Sequence, residues 1–471
     1  MSPNTTANHP LLSAAFEQRT DRQTSTVVRD GNSVRLMPSG SESYASRWEL
    51  IDGARRCIDL VSFSVMRDET SFRMRDALLG KLRQGVAVRF IVDDAVLHTS
   101  FSGGIMKDLT KAGAEVVQYH KIFRDFMPDF RRPRRVHQLV TNIKYKLKRR
   151  FHEKFMVVDG SSAILGGINW GDKYAFGGVK PKAWRDTDCS LTGPVVADVQ
   201  RQFIKSFFFY RALDAEYAAR KQPGFDRDAF FAAARAEEDA FIEANREVYF
   251  PPLPPTGTDR IRYLPHKPYD ESRLPITEAY LMMFREAQQY IYWGCHGVRT
   301  PRIVAETLVE AVNRGVDVRL ITNSRKSSQT LMARGLLGSM YKECATYFRW
   351  LVERGVKIYE WQKPGAFHSK NLVIDGVVGS VGSYNIAEGS TFHHTESNVV
   401  VYGGNFPEAV RAQFEVDLQD CREIPLAETK IPSPKKNPFC QPLHQRYLLL
   451  DRALLTDSIR TELDNTHFPS N

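Results

Sequence analysis

The chain has 471 residues, 42% of them apolar, and a formal net charge of +10. That length is two to three times an ordinary domain and carries apolar residues enough for two cores, so a two-lobed globular protein is expected rather than a disordered or fibrous one. No run of 18 uncharged apolar residues occurs, so no membrane-spanning helix is expected.

In chain order, residues 1–33 form a polar Ser/Thr/Asn/Arg mixture without the apolar core of a signal peptide, and they read as a disordered N-terminus. The cysteines Cys57, Cys189, Cys295, Cys344, Cys421 and Cys440 show no CxxC spacing, so neither zinc nor a disulfide framework is expected, and a reducing compartment is the default. CIDLVSFSV (57–65), a helical pattern DALLGKLRQG and GVAVRFIVDD (85–94) form a strand, helix, strand series. Asp93 and Asp94 could ligate a metal, but a turn is the favoured reading, because the matching residues of the second half are Asn323 and Ser324.

Between His120 and Phe151 lie eleven basic residues against two acidic ones. Val136, Leu139, Val140, Ile143 and Leu147 recur at spacings of three and four, the pattern of an amphipathic helix with a cationic polar side. Such a helix suits an anionic lipid surface or nucleic-acid phosphates, and a solvated charged face is the plain alternative. FHEKFMVVDG (151–160) follows at once. FFFY (207–210) is expected to bury one side of a helix rather than stack on bases. A helix over 226–250 and the stiff PPLPP at 251–255 read as a linker over 216–258. The strand and helix series then repeats as YIYWGCHGV (290–298), ETLVEAVNRG and GVDVRLITNS (315–324), and FHSKNLVIDG (367–376) repeats the earlier motif. After residue 422 the pattern dissolves into a tail over 423–471, in which YLLLDRALLTDSI (447–459) could form a helix.

The repeat is tight. His152/His368, Lys154/Lys370, Asp159/Asp375, Gly166/Gly382 and Asn169/Asn385 are each separated by 216 residues. The side-chain period of a strand is two, so each histidine and its lysine project from one face. From Tyr119 to His152 takes 33 residues, whereas Tyr359 to His368 takes nine, so the basic segment (about 120–150) is an insertion just before the first histidine, expected at the mouth of the site.

H-x-K-x4-D followed by G-[GS]-x-N, twice in one chain, resembles the phospholipase D superfamily, and the longer contexts GGINWGDKY…WRDTDCSLTGPVV and GSVGSYNIAEGSTFHHTESNVVV are similar to bacterial cardiolipin synthases. The resemblance covers roughly 34–422 and implies an α/β fold of two similar βα lobes, 34–215 and 259–422. Each lobe would have a mixed β-sheet flanked by helices, with the active site between the lobes. It implies that His152 attacks phosphorus to give a phosphohistidine while His368 protonates the leaving alcohol and later deprotonates the acceptor. Lys154 and Lys370 would supply the positive charge that a metal pair gives other phosphoesterases, so no metal and no cofactor is expected. Asn169, Asn385 and Ser383 would donate to phosphate oxygens, with Gly167 in place of the serine in the first copy. An acidic residue beyond each asparagine would orient a histidine: Glu396 in the second copy, and Asp186, or alternatively Asp188, in the first. Asp159 and Asp375 belong to the signature, yet an Asp-Gly pair at a strand end also makes a tight turn, so catalytic and purely structural roles both stay open. His393 and His394 could line the pocket or merely sit in a loop.

The leading expectation is phosphatidyl transfer from phosphatidylglycerol or another phospholipid to a lipid alcohol. The enzyme would be cytoplasmic and peripherally held on the anionic inner face of the cell membrane. Hydrolysis to phosphatidic acid uses the same residues and differs in whether the pocket excludes water. A nuclease is a weaker reading, since no aromatic and basic interleaving suggests a single-strand groove, and no nucleic-acid partner is expected. One departure concerns the acceptor: Gly389 stands where cardiolipin synthases commonly carry an arginine.

Overall fold

A computed structural model describes residues 8–93, 103–119, 150–267, 273–327 and 338–431. The basic segment 120–149, Asp94 and the run 447–459 lie outside the described residues. The chain divides into two compact units. An N-terminal lobe comprises Asp30–Phe176 and Asp188–Thr258, and a C-terminal lobe comprises Met1–Arg29, Gly177–Thr187 and Asp259–Asn471.

The strands of the N-terminal lobe are β1 (Val28–Met37), β2 (Cys57–Ser62), β3 (Ala87–Asp93), β4 (Glu115–Tyr119), β5 (Arg150–Phe151), β6 (Phe155–Val158), β7 (Ser162–Gly166) and β8 (Asp188–Thr192). Its sheet runs β1-β8-β7-β6-β2-β3-β4. Strands β2, β3 and β4 are parallel because the helices Glu69–Arg83 and Gly103–Lys111 carry the chain back between them. The remaining neighbours are antiparallel. Asp68 caps the first of these helices by accepting from the Ser71 N–H at 3.1 Å, and Gly85, at φ 82°, turns the chain into β3.

The C-terminal lobe repeats this plan. Its strands are β9 (Asp259–His266), β10 (Tyr290–Gly294), β11 (Asp317–Asn323), β12 (Lys357–Trp361), β13 (Asn371–Ile374), β14 (Val378–Gly382), β15 (His394–Tyr402) and β16 (Cys421–Glu423), in the order β16-β12-β11-β10-β13-β14-β15-β9. Strands β10, β11 and β12 are parallel, linked by the helices Arg302–Asn313 and Gly338–Val352. Each lobe is thus a mixed sheet with helices, as the family resemblance implied. Strands β10 and β13 are buried at every residue, which explains their near-continuous apolar runs.

Three expected boundaries are corrected. Residues 8–33 are ordered: Ser13 caps a helix over Ala14–Thr24, and Leu11 and Phe16 enter the apolar core of the C-terminal lobe. Polar composition hid this helix because its other buried residues, Thr20, Gln23 and Thr24, are hydrophilic, the two threonine hydroxyls bonding back to carbonyls one turn earlier. The linker 216–258 instead completes the N-terminal lobe. The helix Arg227–Ala244 packs on the helix Val195–Ala219, with Phe208 and Phe241 rings 5.1 Å apart. Tyr249 lies 4.1 Å from the guanidinium of Arg89, which pairs with buried Asp59 at 3.0 Å. Phe207, Phe208 and Tyr210 are buried along one helix. Last, residues 177–187, expected inside the first lobe, group with the C-terminal lobe.

Candidate active site

In the N-terminal lobe, His152 and Lys154 occupy the short stretch between β5 and β6 rather than a strand, both at least nine-tenths buried. The Lys154 ammonium donates to the carbonyl of His152 and sits 5.1 Å from the centre of the Phe63 ring. The Phe63 and His152 rings are 4.9 Å apart, edge to face. Asp93, at the end of β3, accepts the N–H of Phe151 at 2.9 Å and thereby ties the residue before the histidine to the parallel sheet. This replaces the turn expected of Asp93. Asn169 is held by the scaffold: its Oδ1 accepts from the Ser64 N–H at 3.0 Å and its Nδ2 donates to Tyr174 Oη at 3.0 Å. Four residues on, Lys173 is pushed down to about 8 by burial, with Asp68 opposing.

In the C-terminal lobe, His368 and Lys370 hold the equivalent place before β13. The Lys370 ammonium donates to the His368 carbonyl, as in the first copy. His368 Nδ1 lies 2.6 Å from Asp186 Oδ2. A carboxylate only accepts, so Nδ1 carries the hydrogen and Nε2 is the nitrogen that gains or loses a proton. Lys370 Nζ is 3.0 Å from the same Nδ1, a second positive group packed beside the ring. The segment bearing Asp186 is strapped to the stretch bearing His368. The His368 N–H donates to Arg185 O at 2.7 Å, the Arg185 N–H donates to Ala366 O at 2.9 Å, and Ser369 Oγ bonds Thr187 Oγ1 at 2.8 Å. Arg185 also forms a two-pronged pair with Asp417, at 2.6 and 2.7 Å. Trp184 packs 5.1 Å from the His368 ring. The amide oxygen of Asn385 is buried with no hydrogen-bond partner among the described residues.

Several expected roles change. Asp186 was expected to serve the first copy's histidine; its hydrogen bond is to His368, because the segment 177–187 belongs to the C-terminal lobe. Asp188 is a brace rather than an orienting group, accepting from Ser43 at 2.6 Å, Arg47 at 2.8 Å and the Ile168 N–H at 3.1 Å. Glu396, expected to orient the second copy's histidine, takes a 2.5 Å bond from Ser390 Oγ. Register explains the pairing of roles: Gly166 faces Asp188 and Gly382 faces Asn398, so Asp186 and Glu396 stand at matching positions two residues earlier.

Asp159 and Asp375 stand at the opposite ends of β6 and β13 from the histidines, so their catalytic assignment gives way to the structural one. Each has a positive φ, 52° and 54°, followed by Gly160 at 63° and Gly376 at 68°, the geometry of a tight hairpin turn. The Asp159 carboxylate accepts the N–H groups of Arg55, Arg56 and Cys57 at 2.7–2.9 Å. Asp375 does the same for Gln288, Gln289 and Tyr290 at 2.7–2.9 Å and also meets His9 Nε2 at 2.9 Å. Burial alone would raise the Asp375 carboxyl, but the hydrogen bonds from His9 and the three amides outweigh it and hold it below its ordinary range. Ser383, expected on the phosphate, is fully buried with its hydroxyl accepting the Ser397 N–H at 3.0 Å. His393 is buried after the short helix Glu388–Phe392, and the His394 ring lies so close to Gly389 that a Cβ there would meet it at 2.7 Å.

Sequence reading missed Asn323, His296 and Trp184. Asn323 Oδ1 accepts the Phe367 N–H at 2.8 Å and its Nδ2 donates to Phe367 O at 2.7 Å. The available signal was the alignment of Asp93 with Asn323, two polar residues ending matching buried strands.

The family model described as "Cardiolipin synthase, PLD-like domain" matches residues 48–180 and 280–418. A cardiolipin synthase of Geobacillus sp. (strain WCH70) is 25% identical over 83% of this chain and 67% of its own length. Cardiolipin synthase 2 of Bacillus cereus is 24% identical over 83% of this chain and 65% of its own, so the chain spans about two thirds of these relatives. The crystal structure of phosphatidylserine synthase from Haemophilus influenzae Rd KW20 shares the fold, with a TM-score of 0.62 at 12% identity, over 93% of this chain and 100% of that one. No helix among the described residues is long and apolar enough to cross a membrane. With both motif copies matched over more than half its length, the chain belongs to the cardiolipin synthase-like branch of the phospholipase D superfamily and is an enzyme of that type.

Proposed function

We propose that the protein transfers a phosphatidyl group from phosphatidylglycerol, or another phospholipid, to a lipid alcohol through a phosphohistidine on His152. The observation that carries this reading is the pair formed by His368 and Asp186 at 2.6 Å, which leaves His368 Nε2 as the proton-exchanging atom of an acid–base residue. In the first step His152 attacks phosphorus, the P–O bond to the headgroup breaks, and the proton on His368 Nε2 passes to the departing alkoxide. In the second step His368 takes the proton of the acceptor hydroxyl as its oxygen bonds phosphorus, and His152 departs. Lys154 and Lys370 stabilise the charge that grows on the non-bridging oxygens, and Asn169 and Asn385 orient them. The chemistry is divided between two equivalent motifs, and both are intact.

Phosphatidic acid formation, with water as acceptor, is the second reading. The observation that favours it is Gly389, closed by His394, at the position where the resemblance to cardiolipin synthases led an arginine to be expected. Incubation with phosphatidylglycerol, with and without phosphatidylethanolamine, glycerol or ethanol, followed by mass spectrometry of the lipids, separates the two. Cardiolipin supports transfer to lipid, phosphatidic acid alone supports hydrolysis, and neither product would overturn both. Activity is expected to survive EDTA; loss that a divalent ion restores would redirect the mechanism to a metal. The basic segment 120–149 is proposed to hold the protein on anionic membrane at the inner face. Flotation with phosphatidylglycerol liposomes that persists after its lysines and arginines are neutralised would count against that role.

A further inference from the structure

The two motif histidines sit against different rings. In the N-terminal lobe the neighbour is Phe63, at 4.9 Å and 64° from His152. In the C-terminal lobe it is His296, at 4.9 Å and 61° from His368. The repeat aligns CIDLVSFSV with YIYWGCHGV, so Phe63 and His296 occupy one structural position with one geometry. The N-terminal copy uses an inert ring there, and the C-terminal copy uses a polar one.

His296 is held on several sides. Its Nδ1 is 3.1 Å from Phe367 O, and its ring stacks on Trp184 at 6.0 Å and 20°. Asn323 Nδ2 reaches both His296 O and Phe367 O at 2.7 Å, which uses its two hydrogens. The 3.1 Å approach of Asn323 Nδ2 to His296 Nδ1 therefore carries no hydrogen bond, and Nδ1, facing a carbonyl, is the protonated nitrogen. The peptide before His368 is consequently clamped on every polar atom: Phe367 N–H on Asn323 Oδ1, Phe367 O on Asn323 and His296, and His368 N–H on Arg185 O. In the N-terminal copy Asp93 accepts the Phe151 N–H, and a carboxylate has no hydrogen to offer the following carbonyl.

We infer that His296, seated by Asn323, is a positioning residue for His368, holding the imidazole that moves the proton in the orientation its transfer to and from an alcohol oxygen demands. The nucleophilic copy has no such need, because a nitrogen attacking phosphorus exchanges no proton, and an apolar ring at Phe63 suffices there. This inference rests on the proposed division of labour between the histidines. Proton transfer depends steeply on donor–acceptor geometry, whereas a good leaving group makes it dispensable.

The test compares wild type, H296F, H296N and H296Q on phosphatidylglycerol, which has an alkoxide leaving group, and on a p-nitrophenyl phosphodiester, whose phenolate leaves without an acid. H296F copies the ring of the other half. It is expected to lower kcat on phosphatidylglycerol about tenfold or more, to leave KM unchanged and to spare the first-turnover burst of phenolate from the aryl substrate, the second step being common to both substrates. H296N, whose amide hydrogen falls where Nδ1–H lies, should recover most of the rate, and H296Q, whose amide reaches past that point, should not. Wild-type kcat for H296F, an equal loss in the first-turnover release from both substrates, or recovery by H296Q rather than H296N would overturn the inference. If H296F does not fold, as judged by circular dichroism, the contrast between H296N and H296Q decides. H368Q in parallel keeps the two readings apart. If H368Q also spares phosphatidylglycerol turnover, the acid–base assignment itself fails; if H368Q is impaired and H296F is not, only the role of His296 fails.

Discussion

The two motif copies share strand order, register and the placement of histidine and lysine, and they differ in what surrounds the histidine. Beside His152 lies Phe63, and Asp93 accepts the N–H of the residue before it. His368 has Asp186, Trp184, His296 and a two-sided clamp from Asn323. A group that forms a bond to phosphorus needs a lone pair and a clear approach. A group that delivers a proton needs a fixed tautomer and direction as well. The polar ring of His296 and the two-sided clamp of Asn323 fall on the copy to which the proposed mechanism gives the proton.

The largest expected effect separates the histidines. His152→Ala should abolish turnover of both alkyl and aryl phosphodiesters. His368→Ala should lose about 100- to 10,000-fold on phosphatidylglycerol yet still release p-nitrophenolate in a first-turnover burst. Equal losses on both substrates for the two variants would break the comparison. Next, Asp186→Asn should cost on the order of 100-fold in kcat by releasing the His368 tautomer, with little change in thermal unfolding. Asp188→Asn should do the reverse, because it leaves buried Arg47 without its counter-charge, at a cost in stability of about 3–5 kcal/mol measured by urea unfolding.

A smaller effect tests the signature aspartates. Asp159→Asn and Asp375→Asn should each remove about 1–3 kcal/mol of stability, seen in denaturant midpoints, while the remaining folded enzyme keeps its kcat. Asp375 also sets a pH dependence. Its folded carboxyl titrates below the unfolded one, so its contribution is complete above about pH 5 and is lost as pH falls through the lower folded value. Asp375→Asn should flatten that part of the stability curve; an unchanged acid limb would refute the assignment. The smallest effect is at Ser383, whose hydroxyl serves the Ser397 amide: Ser383→Ala should cost about 1 kcal/mol and change KM little.

The repeat and the histidine and lysine pairs were legible in the chain, because both are set by residue spacing, and the Asp-Gly steps marked Asp159 and Asp375 as turn candidates; the mixed sheets came from the family resemblance. The ordered N-terminal helix was not legible. Its burial depends on Leu11 and Phe16 finding an apolar core more than two hundred residues away in sequence, and nothing in a polar segment announces that.

The sequence by itself determined that the histidine, lysine and asparagine sets come twice, because every pair recurs at the same offset of 216 residues. Only the tertiary structure decided which carboxylate serves which ring. Asp186 lies 17 residues beyond Asn169 in the first copy, yet its 2.6 Å bond is to His368, because the segment carrying it is strapped to residues 366–369 by hydrogen bonds that involve Arg185 and Thr187. Proximity along the chain constrains only neighbours joined by a few residues; beyond that, backbone pairing and buried charge settle the assignment.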